Sequence, residues 1–439
     1  MFTKDIFSRV NLINLTILTI PASHIAGNLV LNLNILFLII LSLIFYGKEL
    51  FKEKFTQIDT FVLIIFVYVT INGIFNNFYN FDFNTTEKNI VIKKSLLFTR
   101  FLILYFIIKF LIINKIINFK ILFLIFGLYS LFVSIDIIVQ YLIGFNLFGF
   151  EGSGRRLSGL FGEEYIAGSF IQKFYIFLLF YFLIFAKVEG KLLFYFSLSI
   201  MILISALGIF FSGNRIPFML FILSLIMIFI FEKSLRKFLL LVSFIFICSF
   251  LFLSKSNKNL YTHYDTFLKK GYQIINYFKI KAMSQELSAE SANVYIKEFE
   301  SGIYTWEKNK IFGGGVKSFY WNCSSIERDK MLLFVYGKGQ VNCNSHPHNY
   351  YLQIAGELGV IGLLLFIITF LFILKKSLQK IRVNDKSIIE IKLLIPFFIL
   401  FFVDIFPFKT TGSFFSTASA TFLFLILSFV VGLIEVKKL

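Results

Sequence analysis

Long apolar runs separated by short polar connectors dominate the chain. They fall at residues 10–26 (interrupted by Pro21), 29–46, 61–75, 96–113, 121–143, 166–186, 192–211, 216–231, 238–253, 349–374, 388–406 and 413–434. Several reach the ~20 residues that a helix needs to cross ~30 Å of hydrocarbon. A helix pairs its backbone N–H and C=O groups within the segment, which the bilayer requires because it offers them no water. The pattern predicts an all-α polytopic membrane protein with about twelve transmembrane helices. A polar stretch of about 90 residues interrupts it, far longer than an ordinary connection. The chain is thereby divided into residues 1–253 with about nine helices, a large loop at 254–348, and residues 349–439 with about three.

Composition agrees with the pattern. The chain is 58% hydrophobic and 19% aromatic, with 63 Phe and a mean hydropathy of +0.82; 15% of its residues are charged, against about a quarter in soluble domains. The net charge of +18 also suits a nucleic-acid binder, but the basic residues occupy connectors instead of a stripe on a soluble domain. They are Lys48, Lys52 and Lys54; Lys115 and Lys120; Lys187 and Lys191; Lys233, Arg236 and Lys237; Lys375, Lys376, Lys380, Arg382 and Lys386; and Lys437 and Lys438. Lysine and arginine are retained in cytoplasmic loops, so this distribution predicts both termini in the cytoplasm. Membrane lipids are expected partners and nucleic acid is not. The first run lacks a small-residue cleavage site and leads straight into the second, so it is expected to remain as the first helix.

The same orientation exports the 254–348 loop and a few basic residues that break the bias: Arg155, Arg156, Arg215 and Lys409, beside His346 and His348. Each cation alone reads as well as a group that snorkels or touches lipid phosphate as it does as a functional one. Their convergence on one face favours a shared anionic ligand, which the planar fork of arginine suits well. His346-Pro347-His348 ends the loop directly before an apolar run, with Pro347 suited to a first helical turn. Imidazole titrates near neutrality, so this is where proton transfer is expected; a cap with two solvated histidines is the bland alternative.

Cys248 lies in an apolar run and is expected to pack as a small hydrophobe. Cys323 and Cys343 both fall in the exported loop. A disulfide is favoured there over two free thiols and would close about 20 residues, worth about 3 kcal/mol. Two histidines without closely spaced cysteines make a poor metal site, so no metal or other cofactor is expected. Gly313-Gly314-Gly315-Val316-Lys317-Ser318 lacks phosphate-loop spacing and reads as a glycine turn packed on the loop's aromatics. Asp136 and Asp404 are either functional carboxylates or solvated helix-end groups. Glu163 and Glu164 read as helix-start acids, and His24 as a packed histidine.

Taken in order, several motifs resemble one family. Ile311-Phe312-Gly313-Gly314-Gly315-Val316-Lys317-Ser318-Phe319, Cys323, Cys343, His346-Pro347-His348-Asn349-Tyr350-Tyr351-Leu352-Gln353 and Gly356-Glu357-Leu358-Gly359 are similar to the signature of the O-antigen ligase and polymerase superfamily. Arg156-Leu157-Ser158-Gly159-Leu160-Phe161-Gly162, Ser212-Gly213-Asn214-Arg215 and Lys409-Thr410-Thr411-Gly412-Ser413-Phe414-Phe415 resemble further elements of it, so the likeness covers about residues 155–416. It implies a GT-C-like glycosyltransferase of the bacterial inner membrane with a periplasmic loop. Such an enzyme moves a glycan from an undecaprenyl-diphosphate carrier to lipid A-core (a ligase) or to a second carrier-linked repeat (a polymerase). The resemblance implies His348 as general base, with His346 beside it, and Arg156 and Arg215 as diphosphate ligands; Arg155 and Lys409 share their face. Where many members carry an arginine ahead of a tryptophan, this chain has Lys297, Lys308 and Lys310 around Trp306. A lipid-linked glycan transporter is the rival from another class, but no internal repeat is evident and most charges lie at helix ends. A membrane scaffold leaves the exported arginines and histidines without a purpose.

Overall fold

The computed structural model describes residues 8–79, 84–152, 156–186, 189–245, isolated positions between 262 and 279, 294–324, 343–383, 388–410 and 412–436. Arg155, Lys187, Cys248, Lys386, Thr411, Lys437 and Lys438 lie outside them. Among the described residues every regular element is helical.

The N-terminal half contains α1 (Arg9–Leu18), α2 (Ile20–Ala26), α3 (Asn28–Leu50), α4 (Gln57–Tyr79), α5 (Thr85–Phe98), α6 (Arg100–Ile113), α7 (Phe119–Ile143), α8 (Ala167–Ile184), α9 (Lys191–Phe211) and α10 (Arg215–Phe231). α11 (Val294–Lys308) and the short α12 (Phe319–Ser324) follow, then α13 (Tyr350–Val383), α14 (Ile389–Asp404) and α15 (Thr417–Glu435). Local chemistry sets several boundaries. Asn84 and Glu87 form a reciprocal capping box at the start of α5. Gly144 closes α7 in the left-handed conformation, and Ser416 caps α15 by accepting from the Ser419 amide.

Eight helical segments among the described residues are long and apolar enough to cross a membrane, or nine if Arg215–Phe231 and Lys233–Ile245, bent by 111°, form one span. That is fewer than the about twelve predicted from hydropathy. The first run divides at Thr19, the N-cap of α2, whose first turn holds Pro21, into helices of 10 and 7 residues. α14, with Pro396 inside it, has 16 residues, too few for ~30 Å of hydrocarbon when upright. The ninth run continues beyond the described residues.

Helices α7, α8 and α9 pack together, and α15 lies between α6 and α14. Lipid tails are as apolar as leucine, so these contacts depend on dispersion and close approach. A Cβ on Gly127 of α7 would lie 2.3 Å from Leu178 Cβ on α8. Phenylalanine fills the centre: Phe397 stacks on Phe429 with centroids 4.4 Å apart, and Phe101 on Phe424 at 6.0 Å.

Candidate functional site

The backbone of α13 is broken at Gly359, whose φ of 68° and ψ of −173° interrupt the helix. The glycine turn after α11 docks on this break. The Gly314 amide donates to Gly356 O at 3.2 Å, Gly315 to Glu357 O at 2.7 Å, and Val360 to Lys310 O at 2.8 Å. The Lys317 amide donates to the buried Glu357 carboxylate at 2.8 Å. A Cβ on Gly359 would lie 2.1 Å from Ile311 O, and one on Gly313 2.4 Å from Glu357 C. Tyr68 of α4 donates to Leu358 O at 2.8 Å. The glycines of both motifs therefore serve backbone-to-backbone docking, and the turn packs on α13.

This docking holds the start of α13, where the histidines lie. Asn349 accepts from the Tyr351 and Leu352 amides at 3.0 and 3.2 Å, and its Nδ2 donates to Pro407 O at 2.8 Å. Gln353 donates to Glu357 and Ser413 at 3.0 and 2.9 Å and accepts from the Phe414 amide at 2.8 Å. The segment between α14 and α15 is thus strapped to the histidine turn. Cys323, at the end of α12, is disulfide-bonded to Cys343.

His348 takes a left-handed φ of 51°, uncommon for a residue with a Cβ. Its Nε2 lies 3.7 Å from Glu298 Oε1 on α11, with its side chain 32% exposed and that of Glu298 8%. Asn344 Nδ2 donates to the same carboxylate oxygen at 3.1 Å and lies 3.4 Å from His348 Nε2. Burial raises the Glu298 pKa above the ordinary carboxylate value, opposed by His348 and by the Asn344 hydrogen bond. The His346 and His348 rings are 4.3 Å apart. Glu298 was invisible in the sequence, being one carboxylate among several in a long polar segment.

A cavity of about 530 Å³ opens beside this turn. His346 and Lys317 line it, with Glu164, Ser169 and Lys173 from around the start of α8, Ile216 and Pro217 from α10, His24 from α2, and Asp404 and Lys409 from the α14–α15 connection. Lys409 is 5% exposed; its Nζ lies 3.1 Å from Asp404 Oδ1 and 4.6 Å from the Tyr350 ring centroid. Burial pushes the Lys409 ammonium below the ordinary lysine range, with Asp404 opposing. Asp404 Oδ2 and His24 Nε2 are buried without a hydrogen-bond partner among the described residues. Asp404 is thus half of a buried ion pair in the cavity wall, and His24 packs edge-on against Phe170 and Phe174. Lys173, also missed, looks in sequence like one more lysine in an apolar run.

Arg215 opens α10 directly before the cavity-lining Ile216 and Pro217. Arg156 is exposed, and the next residue, Leu157, donates its amide to Ser212 O at 3.3 Å, joining the two arginine motifs. Neither arginine nor His348 is among the lining residues; His346 is. Asp136 is explained locally: its buried carboxylate accepts from the Leu147 amide at 3.0 Å and from Asn146 at 3.4 Å, tying down the segment after α7.

The fold and this cavity define a polytopic membrane protein with imidazoles, ammoniums and carboxylates gathered at one end of its helix bundle. Residues 200–367 match the sequence model of a family described as O-antigen ligase, which supports the O-antigen ligase superfamily. The matched stretch runs from α9 into α13, so it includes Arg215, Glu298, the docked glycine turn and both histidines. That match supports a general enzymatic role of the membrane ligase and polymerase type. No curated protein matches the chain.

Proposed function

We propose that the protein transfers a glycan from undecaprenyl diphosphate to an acceptor hydroxyl at the periplasmic face of the inner membrane, with lipid A-core as the ligase acceptor. The proposal includes further crossings by the N-terminal helix pair and α14, a periplasmic 254–348 loop, and cytoplasmic termini. The observation that carries it is the placement of the histidine pair: the His346 ring faces the cationic cavity, and the His348 ring beside it is backed by Glu298 and partly open to solvent.

In this reading the carrier diphosphate lies in the cavity against Lys409, with Arg215 and Arg156 at its entrance, and the acceptor comes from the solvent side. His348 accepts the hydroxyl proton as that oxygen bonds to the anomeric carbon, and Glu298 stabilises the imidazolium that forms. The bond from the anomeric carbon to phosphate oxygen breaks, and the electron pair leaves with the diphosphate. Fixed cations stabilise that developing charge without need of a metal. The Cys323–Cys343 bond holds the loop end that carries Asn344 and the histidines.

The test is glycan transfer by purified protein from an undecaprenyl-diphosphate-linked donor. His348→Ala is expected to lower kcat by about 10²–10⁴-fold while leaving carrier binding in place, and chelator is expected to have no effect. Full activity in His348→Ala removes the base assignment. Translocation of the carrier without bond formation replaces the enzyme with a transporter. In a deletion strain, long unattached chains on the carrier support a ligase, and single-repeat caps a polymerase.

A further inference from the structure

Lys173 is the one charged residue in α8, an otherwise apolar helix. From Ala167 to Phe180 all residues but Ser169 and Lys173 are buried, and both of these line the cavity. They stand four residues apart, on one helix face. The Lys173 ammonium sits 4.5 Å from the Phe422 ring centroid and makes no hydrogen bond or ion pair with a described residue. It feels Asp404 and Lys409 electrostatically, and Asp404 is itself paired with Lys409 through Oδ1 at 3.1 Å. The inner wall therefore holds two ammoniums against one carboxylate.

An aromatic face compensates a desolvated cation only in part, and an ionisable group at membrane depth without a counter-ion is costly. The arrangement has the chemistry of an anion site. We infer that Lys173 is a binding residue for that anion: with Lys409 it holds the phosphate groups of a polyprenyl diphosphate at the inner wall of the cavity. This rests on the proposed donor chemistry and adds a ligand no sequence motif indicated. An anionic phospholipid headgroup offers the same phosphate chemistry, and the experiment separates the two.

The experiment measures binding of undecaprenyl diphosphate, and of phosphatidylglycerol, to the full-length protein in phosphatidylcholine nanodiscs, together with thermal unfolding. Lys173→Met is expected to weaken undecaprenyl diphosphate binding by about tenfold or more, the loss of a charge-assisted contact, and Lys173→Arg to retain most of it. Without ligand, Lys173→Met is expected to melt no lower than wild type, because it removes an uncompensated charge. Undecaprenyl diphosphate should raise the wild-type melting temperature by more than the variant's. Wild-type binding that Lys173→Met leaves intact overturns this inference alone; so does a lower ligand-free melting temperature in that variant, which assigns the lysine to the fold. Lys173-dependent binding of phosphatidylglycerol without undecaprenyl diphosphate binding also overturns it. A wild-type protein that binds no undecaprenyl diphosphate overturns the donor assignment as well.

Discussion

At the residue scale, the proposed mechanism gives Glu298 control over what His348 can do. A neutral imidazole that accepts a proton becomes a cation, and a carboxylate 3.7 Å away stabilises it. Glu298→Gln keeps the shape and removes the charge, so kcat is expected to fall by about tenfold or more with KM little changed, a smaller loss than in His348→Ala. The sign of the accompanying stability effect is fixed by burial. The Glu298 pKa is raised in the fold, so the native state keeps its proton at pH values where the unfolded chain has lost it. Stability is full below the unfolded value and falls as pH rises through the raised one. Melting wild type and Glu298→Gln across that range should show the difference shifting in favour of glutamine as pH increases. A constant difference argues against the assignment.

At the element scale, the glycine turn and the break in α13 are one unit. Gly313 and Gly359 both have positive φ, and each meets backbone of the other segment. Alanine adds a positive-φ penalty of about 1–3 kcal/mol to a clash that side-chain motion cannot relieve. Gly359→Ala or Gly313→Ala is expected to lower the melting temperature and, by releasing the histidine turn, to reduce transfer by the protein that remains folded. Gly47→Ala in α3 is the control, since a Cβ there meets nothing within 4 Å, and it is expected to be neutral or stabilising by about 0.5–1 kcal/mol. Equal losses at Gly47 and Gly359 contradict the docking account. These glycines were legible in the sequence as a motif, but their common purpose was not, because about 40 residues separate the two partners and only contact relates them.

At the scale of the whole molecule, α15 connects two charged ends of the bundle. Its N-terminal turn lines the cavity with Ser416, Ala418 and Ser419. Its last residue, Glu435, lies 2.7 Å from Lys109 of α6, which also pairs with Asp59 of α4. Tyr105 donates to Asp59 at 2.6 Å. Nineteen helical residues separate the ends by about 28 Å, close to the hydrocarbon thickness. Removing Lys109 leaves the buried Asp59 and the partly buried Glu435 without their shared cation, so Lys109→Met should destabilise by about 3–5 kcal/mol, and adding Asp59→Asn and Glu435→Gln should recover much of that. Melting temperatures check the order, and kcat/KM of the folded fraction should stay near wild type because the cluster is remote from the cavity.

Hydropathy alone determined that the chain is helical and membrane-embedded, since crossing a bilayer depends on the local count of apolar residues. Of the about twelve crossings it predicted, eight or nine among the described residues are long and apolar enough to span, because residue count does not register breaks such as the one at Thr19. Motif order also grouped the histidine turn, Arg215 and Lys409 as elements that resemble one family. Only the tertiary structure decided which histidine lines the cavity, that Glu298 backs the other, that Asp136 anchors a connector, and that Lys173 faces the same space as Lys409. Those facts depend on distances between segments up to hundreds of residues apart, and helix packing, not local sequence, sets such distances.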